Sequence, residues 1–148
     1  MIVGFDFHGV AEKHPNVFKP FMELLRAVGA EVWIISGPSM QQLLMEATKA
    51  GYFAGVHFDN LVSVVDYLKN TGVEMWQNDR GSWEADDENW WSSKARLCKM
   101  HSVDILVDDS EQYYEYFEKL EVGTRFILLK DCNFKFMLWG IINLFGGG

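Results

Sequence analysis

The chain has 148 residues, 49% of them hydrophobic, and a formal net charge of −8. That length suits a single domain, 1–148, with enough apolar material for a core. The acidic balance argues against nucleic acid as a partner, while small phosphorylated metabolites stay open because a bound metal ion can supply local positive charge.

In chain order, Ile2–Phe5 is a short apolar run that stops at Asp6 and predicts a strand. It reaches an acid with no basic region and no long apolar stretch, unlike a secretory leader. Residues 17–28 carry apolar side chains at 17, 18, 21, 24, 25 and 28, a helical spacing that Gly29 can end. Glu31–Ser36 reads as a buried strand, and Pro38 opens a second predicted helix running toward Gly51. Residues 52–61 give no clear pattern. A helix is predicted over 61–69, a strand over 73–76 and a polar, acidic loop over 81–89. A helix over 89–100, a strand over 103–107, an aromatic-rich helix over 110–120 and a last strand over 125–129 follow. The apolar stretch 136–145 is shorter than the about 20 residues a membrane-spanning helix needs. It predicts a packed helix or an oligomer contact, leaving a homo-oligomer open and no membrane partner. Cys98 and Cys132 have no CxxC spacing and read as reduced thiols of a cytoplasmic protein.

Alternating strands and helices imply βαβ units, hence an α/β fold with a parallel sheet of about five strands flanked by helices. Ligands of such sheets gather at the carboxyl ends of the strands. Asp6, Ser36, Asp108 and Asp109 each follow a predicted strand. If the strands lie side by side, these groups converge, and clustered carboxylates demand a cation. Oxygen-only ligands favour Mg²⁺. A carboxylate can also attack a phosphoryl group.

Phe5-Asp6-Phe7-His8-Gly9-Val10 resembles the first motif of the haloacid-dehalogenase-like (HAD) hydrolases, hhhDxDG[TV]. Ile34-Ile35-Ser36-Gly37 resembles their second motif, Lys94 suits the third, and Ile105-Leu106-Val107-Asp108-Asp109-Ser110 is similar to the fourth in its "DD" form. The resemblance implies a Rossmann-like HAD fold and a Mg²⁺-dependent phosphatase. Asp6 would form an aspartyl-phosphate. Mg²⁺ would sit on Asp6, Asp108, Asp109 and the backbone carbonyl of His8. Ser36, the Gly37 N–H and Lys94 would bind the phosphoryl oxygens. His8 replaces the family's second aspartate, usually the general acid and base, and could donate a proton itself or leave the protein a phosphoryl binder with little turnover. Motif spacing leaves room for a minimal cap or none. The substrate implied is a small phosphate ester such as a nucleoside monophosphate. A polynucleotide-end phosphatase is the other activity to weigh, and the absence of a basic run argues against it. Beside these, Lys99 rivals Lys94, Arg80 is a further substrate contact to test, and His14, His57 and His101 read as structural. Trp90 and Trp91, with Tyr113, Tyr114, Tyr116 and Phe117, read as core or interface.

Overall fold

Short, β-branched and aromatic runs form β1 (Ile2–Phe5), β2 (Glu31–Ser36), β3 (Asn60–Ser63), β4 (Trp76–Gln77), β5 (Trp83–Glu84), β6 (Ile105–Asp108) and β7 (Arg125–Leu128). The helices are α1 (Pro15–Ala27), α2 (Met40–Lys49), α3 (Val64–Asn70), α4 (Asp87–His101), α5 (Glu111–Lys119) and α6 (Phe134–Gly146). This computed structural model describes residues 1–130 and 134–146, so the reading of Cys132 lies outside the described residues. Five strands make one parallel sheet in the order β3-β2-β1-β6-β7, and β4 and β5 pair antiparallel as a separate hairpin. The architecture is α/β and compatible with a Rossmann-like fold.

The order in which strands are added reverses in the middle of the sheet. From β1 the chain steps outward through β2 to β3, then returns to lay β6 against the other side of β1. Right-handed crossovers therefore place helices on opposite faces in the two halves. Phe18, Phe21, Met22 and Leu25 of α1, Leu43 and Ala47 of α2, and Met137 and Ile141 of α6 pack with Val3, Phe5, Val32, Ile34 and Val107 on one face. On the other, Val64 and Leu68 of α3, Ala95 and Cys98 of α4 and Phe117 of α5 pack with Trp33, Ile35 and Leu106. Each large side chain so buried contributes about 1.5–3 kcal/mol. Along β1 the second face is carried by Gly4. A Cβ there would stand 2.9 Å from Ile35 Cδ1 and 3.2 Å from Leu106 Cδ1, so even alanine crowds the sheet centre.

Helix starts follow their caps. The side chains of Ser39, Ser63 and Asp86 accept from the backbone N–H of Gln42, Asp66 and Asn89. Two expectations need correction here. The predicted helix over 61–69 is a strand followed by a helix, because Ser63 both pairs with Ser36 in the sheet and caps α3. The predicted strand over 73–76 is not in the sheet. Val73 N–H instead bonds Leu68 O to close α3, and Trp76–Gln77 joins the hairpin. The sheet reaches five strands because β3 takes that place. The 81–89 loop also contains β5 and the first turn of α4. The apolar C-terminal segment is a helix that packs on its own domain through Met137 and Ile141. No helix among the described residues is long and apolar enough to cross a membrane.

Candidate active site

The switch between β1 and β6 is where an open parallel sheet leaves a crevice beyond its strand ends. Asp6 leaves β1 there, Asp108 ends β6, and Ser36 ends β2 on the neighbouring strand. The sequence separates Asp6 from Lys94 by most of the domain, yet α4 points Lys94 back under the same strand ends.

Asp6 is 7% exposed, and its backbone N–H bonds Val107 O at 2.9 Å. Three donors converge on its Oδ1: Phe7 N–H at 3.0 Å, Ser36 Oγ–H at 2.9 Å and Lys94 Nζ at 3.0 Å. None of the described residues donates to Oδ2. One oxygen therefore fixes the carboxylate and the other remains available to a ligand. Lys94, 1% exposed, also donates to Asp108 Oδ2 at 2.5 Å and lies 4.4 Å from the Tyr113 ring centroid. Asp108 is fully buried, and its second oxygen accepts the Ser110 N–H at 3.0 Å.

Asp6, Asp108 and Asp109 each offer an oxygen within 4.8 Å of the others. Gly9 makes that approach feasible. It holds φ +80°, and a Cβ on it would lie 2.1 Å from Asp109 Oδ2. No L residue fits there without displacing Asp109. The electrostatics are unbalanced. Burial opposes the charge on Lys94, but Asp108 and Asp6 outweigh it and hold the ammonium well above its ordinary range. Burial raises the Asp108 carboxyl, Lys94 pulls it back, and Asp6 raises it again, with a net upward shift. Burial and then the Asp108 charge raise Asp109 as well. Three carboxylates thus face one ammonium. The residual negative charge and the all-oxygen donor set fit a divalent cation of the Mg²⁺ type.

His8 is placed differently from its expected role as acid and base. Its Nδ1 lies 2.8 Å from Glu12 Oε2 and its Nε2 2.7 Å from Glu46 Oε2, so the ring bridges the turn after β1 to α2 and faces these glutamates. Gly37 follows Ser36, and a Cβ there would lie 3.4 Å from the Trp90 ring. Lys99 donates to Leu120 O, away from the cluster. Arg80 lies in the turn between β4 and β5, its N–H on Asn78 Oδ1. His57 is buried, accepts the Phe53 N–H and packs on Tyr52, a structural role. His14 precedes α1 and His101 packs on Trp33. Trp91, half-buried, packs edge-on against Tyr113 and lines one open cleft, and Trp90 lines that cleft and its neighbour. Sequence reasoning passed over Trp83 and the roles of Gly9, Glu12 and Glu46. The Gly9 position was legible, since a glycine three residues beyond a strand-end acid marks a close backbone approach. Glu12 and Glu46 gave no such signal, because only the fold brings α2 to His8.

No protein-family model and no curated protein matches the sequence. A solved structure of the protein MT0777 is similar over 96% of this chain and 95% of its own, at 12% identity and a TM-score of 0.46, a likeness too remote to bear on function.

Proposed function

We propose that the chain is a Mg²⁺-dependent phosphomonoester hydrolase of the HAD-like type, acting on a small phosphate ester through Asp6. One observation carries the reading: Asp6 is fixed through Oδ1 by three donors, the buried Lys94 among them, beside two further carboxylates. Phosphoryl transfer asks mainly for positioning and charge neutralisation.

Mg²⁺ held by Asp6, Asp108, Asp109 and the His8 carbonyl would neutralise charge on the phosphoryl oxygens. Asp6 Oδ2 attacks phosphorus, the bond from phosphorus to the ester oxygen breaks, and the leaving oxygen takes a proton from solvent water. Water then attacks the aspartyl-phosphate, releasing inorganic phosphate and the free carboxylate. The Gly37 N–H orients the transferred group, while the Ser36 Oγ–H holds Asp6 Oδ1 in place. Lys94 offsets the charge of Asp6 and Asp108 throughout. The β4–β5 hairpin borders the cleft beside the site through Ser82 and Trp83.

The test is phosphate release from a panel of phosphate esters. Release that requires Mg²⁺ and drops at least 10³-fold in Asp6→Asn supports the reading. Equal release without Mg²⁺, or from the variant, refutes it. His8 favours a second reading, a phosphoryl-binding protein with little turnover, because its ring is engaged by Glu12 and Glu46. Tight phosphate-ester binding without release, together with turnover gained in His8→Asp, would select that reading.

A further inference from the structure

Beside the phosphoryl position lies a cleft of about 340 Å³, within the range of small-molecule sites. Gly37 and His8 border it on the side of the carboxylates. Its walls include Pro38, Val65, Trp83 and Trp90. Trp83 and Trp90 also line a neighbouring cleft of about 450 Å³, so the two indoles stand between both spaces. Trp83 is held in place, with Lys69 Nζ 3.5 Å from its ring centroid. Trp90 stands beside Gly37, where an added Cβ would meet its ring at 3.4 Å, an ordinary van der Waals contact. Among the described residues lining the cleft none is lysine or arginine, so it suits no second phosphate. At the rim, Gln42 donates its Nε2 to Glu46, which leaves its carboxamide oxygen to accept from a ligand.

We propose that this cleft holds a planar heteroaromatic ring on the leaving group, so that the ester hydrolysed is a nucleoside monophosphate and not a sugar phosphate. The proposal rests on the hydrolase reading and narrows its substrate class. Indole walls reward a flat π-face, aliphatic Pro38 and Val65 exclude water from its edges, and Gly37, next to Ser36 at the end of β2, borders the cleft on the side where the phosphate would meet Asp6.

The experiment compares kcat/KM for adenosine monophosphate, uridine monophosphate and ribose 5-phosphate in the full chain with Mg²⁺, and in Trp83→Ala and Trp83→Phe. Base–aromatic stacking of about 1–3 kcal/mol corresponds to about 5- to 150-fold. Both nucleotides should therefore exceed ribose 5-phosphate by at least about fivefold. Trp83→Ala should shrink that ratio by about 5- to 150-fold, and Trp83→Phe should restore most of it. Equal kcat/KM for all three esters overturns this inference and leaves the hydrolase reading standing. If no ester is hydrolysed, the hydrolase reading fails and calorimetric titration decides the cleft. Adenosine monophosphate binding that weakens in Trp83→Ala and returns in Trp83→Phe supports the ring site, and absence of binding refutes it.

Discussion

Replacing Lys94 by methionine tests the charge arrangement on which the site depends. Methionine keeps an apolar stem against Tyr113 and removes the ammonium. Two ion pairs disappear, at 3.0 Å to Asp6 and 2.5 Å to Asp108, with Lys94 1% exposed and Asp108 fully buried. Removing one partner of a buried pair costs about 3–5 kcal/mol, because the remaining carboxylates lose their compensation. For a domain of this size each kcal/mol shifts Tm by about 2–4 °C, so Lys94→Met should melt about 6–20 °C lower at neutral pH. Lys99→Met, at a lysine that reaches only a backbone carbonyl, should lose less than about 3 °C. The sign with pH is set by Asp108, whose folded pKa already stands above its unfolded value. Without Lys94 it stands higher, protonation favours the fold, and the deficit should shrink as pH falls toward the carboxylate range. Mg²⁺ should bind Lys94→Met more tightly than the parent, since a competing positive charge has gone, and should recover part of the Tm. Thermal melts with and without Mg²⁺ check all of this. A Tm loss under about 2 °C, unchanged by Mg²⁺ and pH, would refute the buried cluster.

Gly9→Ala should cost about 1–3 kcal/mol from its left-handed backbone alone. The new Cβ also displaces Asp109, so calorimetric Mg²⁺ affinity should fall on the order of 10–100-fold. Away from the site, Asp59 accepts from Arg26 Nε at 3.0 Å and from the Val32 N–H at 2.9 Å. Burial raises its carboxyl, but these donors outweigh it and hold the pKa below 3.8. Asp59→Asn should therefore lose about 1.5–3 kcal/mol near pH 7. The gap to the parent should close as pH falls below 3.8 in urea titrations, since the contribution exists above the unfolded pKa and is lost through the folded one. Cys98 is buried and its thiol is pushed up to about 12, first by that burial. Peptide mapping after treatment with a thiol reagent should show it unlabelled in the native protein and labelled in denaturant.

The sequence by itself determined where strands end, and with that which acids face the crevice. Asp6, Ser36 and Asp108 could be placed because each follows an uninterrupted apolar run, and backbone geometry sends the next side chain out of the sheet. Residues 61–69 defeated the same logic. Leu61, Val62, Val64, Val65 and Leu68 satisfy a strand period and a helix period together, and Ser63 resolves the ambiguity only by pairing with Ser36 across the sheet. Residues 73–76 alternate like a strand, but Val73 N–H closes α3 on Leu68 O and Trp76 pairs with Glu84 in the hairpin. What only the tertiary structure decided is who meets whom. Lys94 reaches Asp6 and Asp108 because α4 runs back beneath β1 and β6. The His8 ring is turned to Glu12 and Glu46 because α2 packs beside the first turn. Trp83 and Trp90 border one cleft because a hairpin folds toward the start of α4. Local propensity acts over a few residues, whereas these contacts join segments tens of residues apart, and their energies exist only once the chain has closed the loops between them.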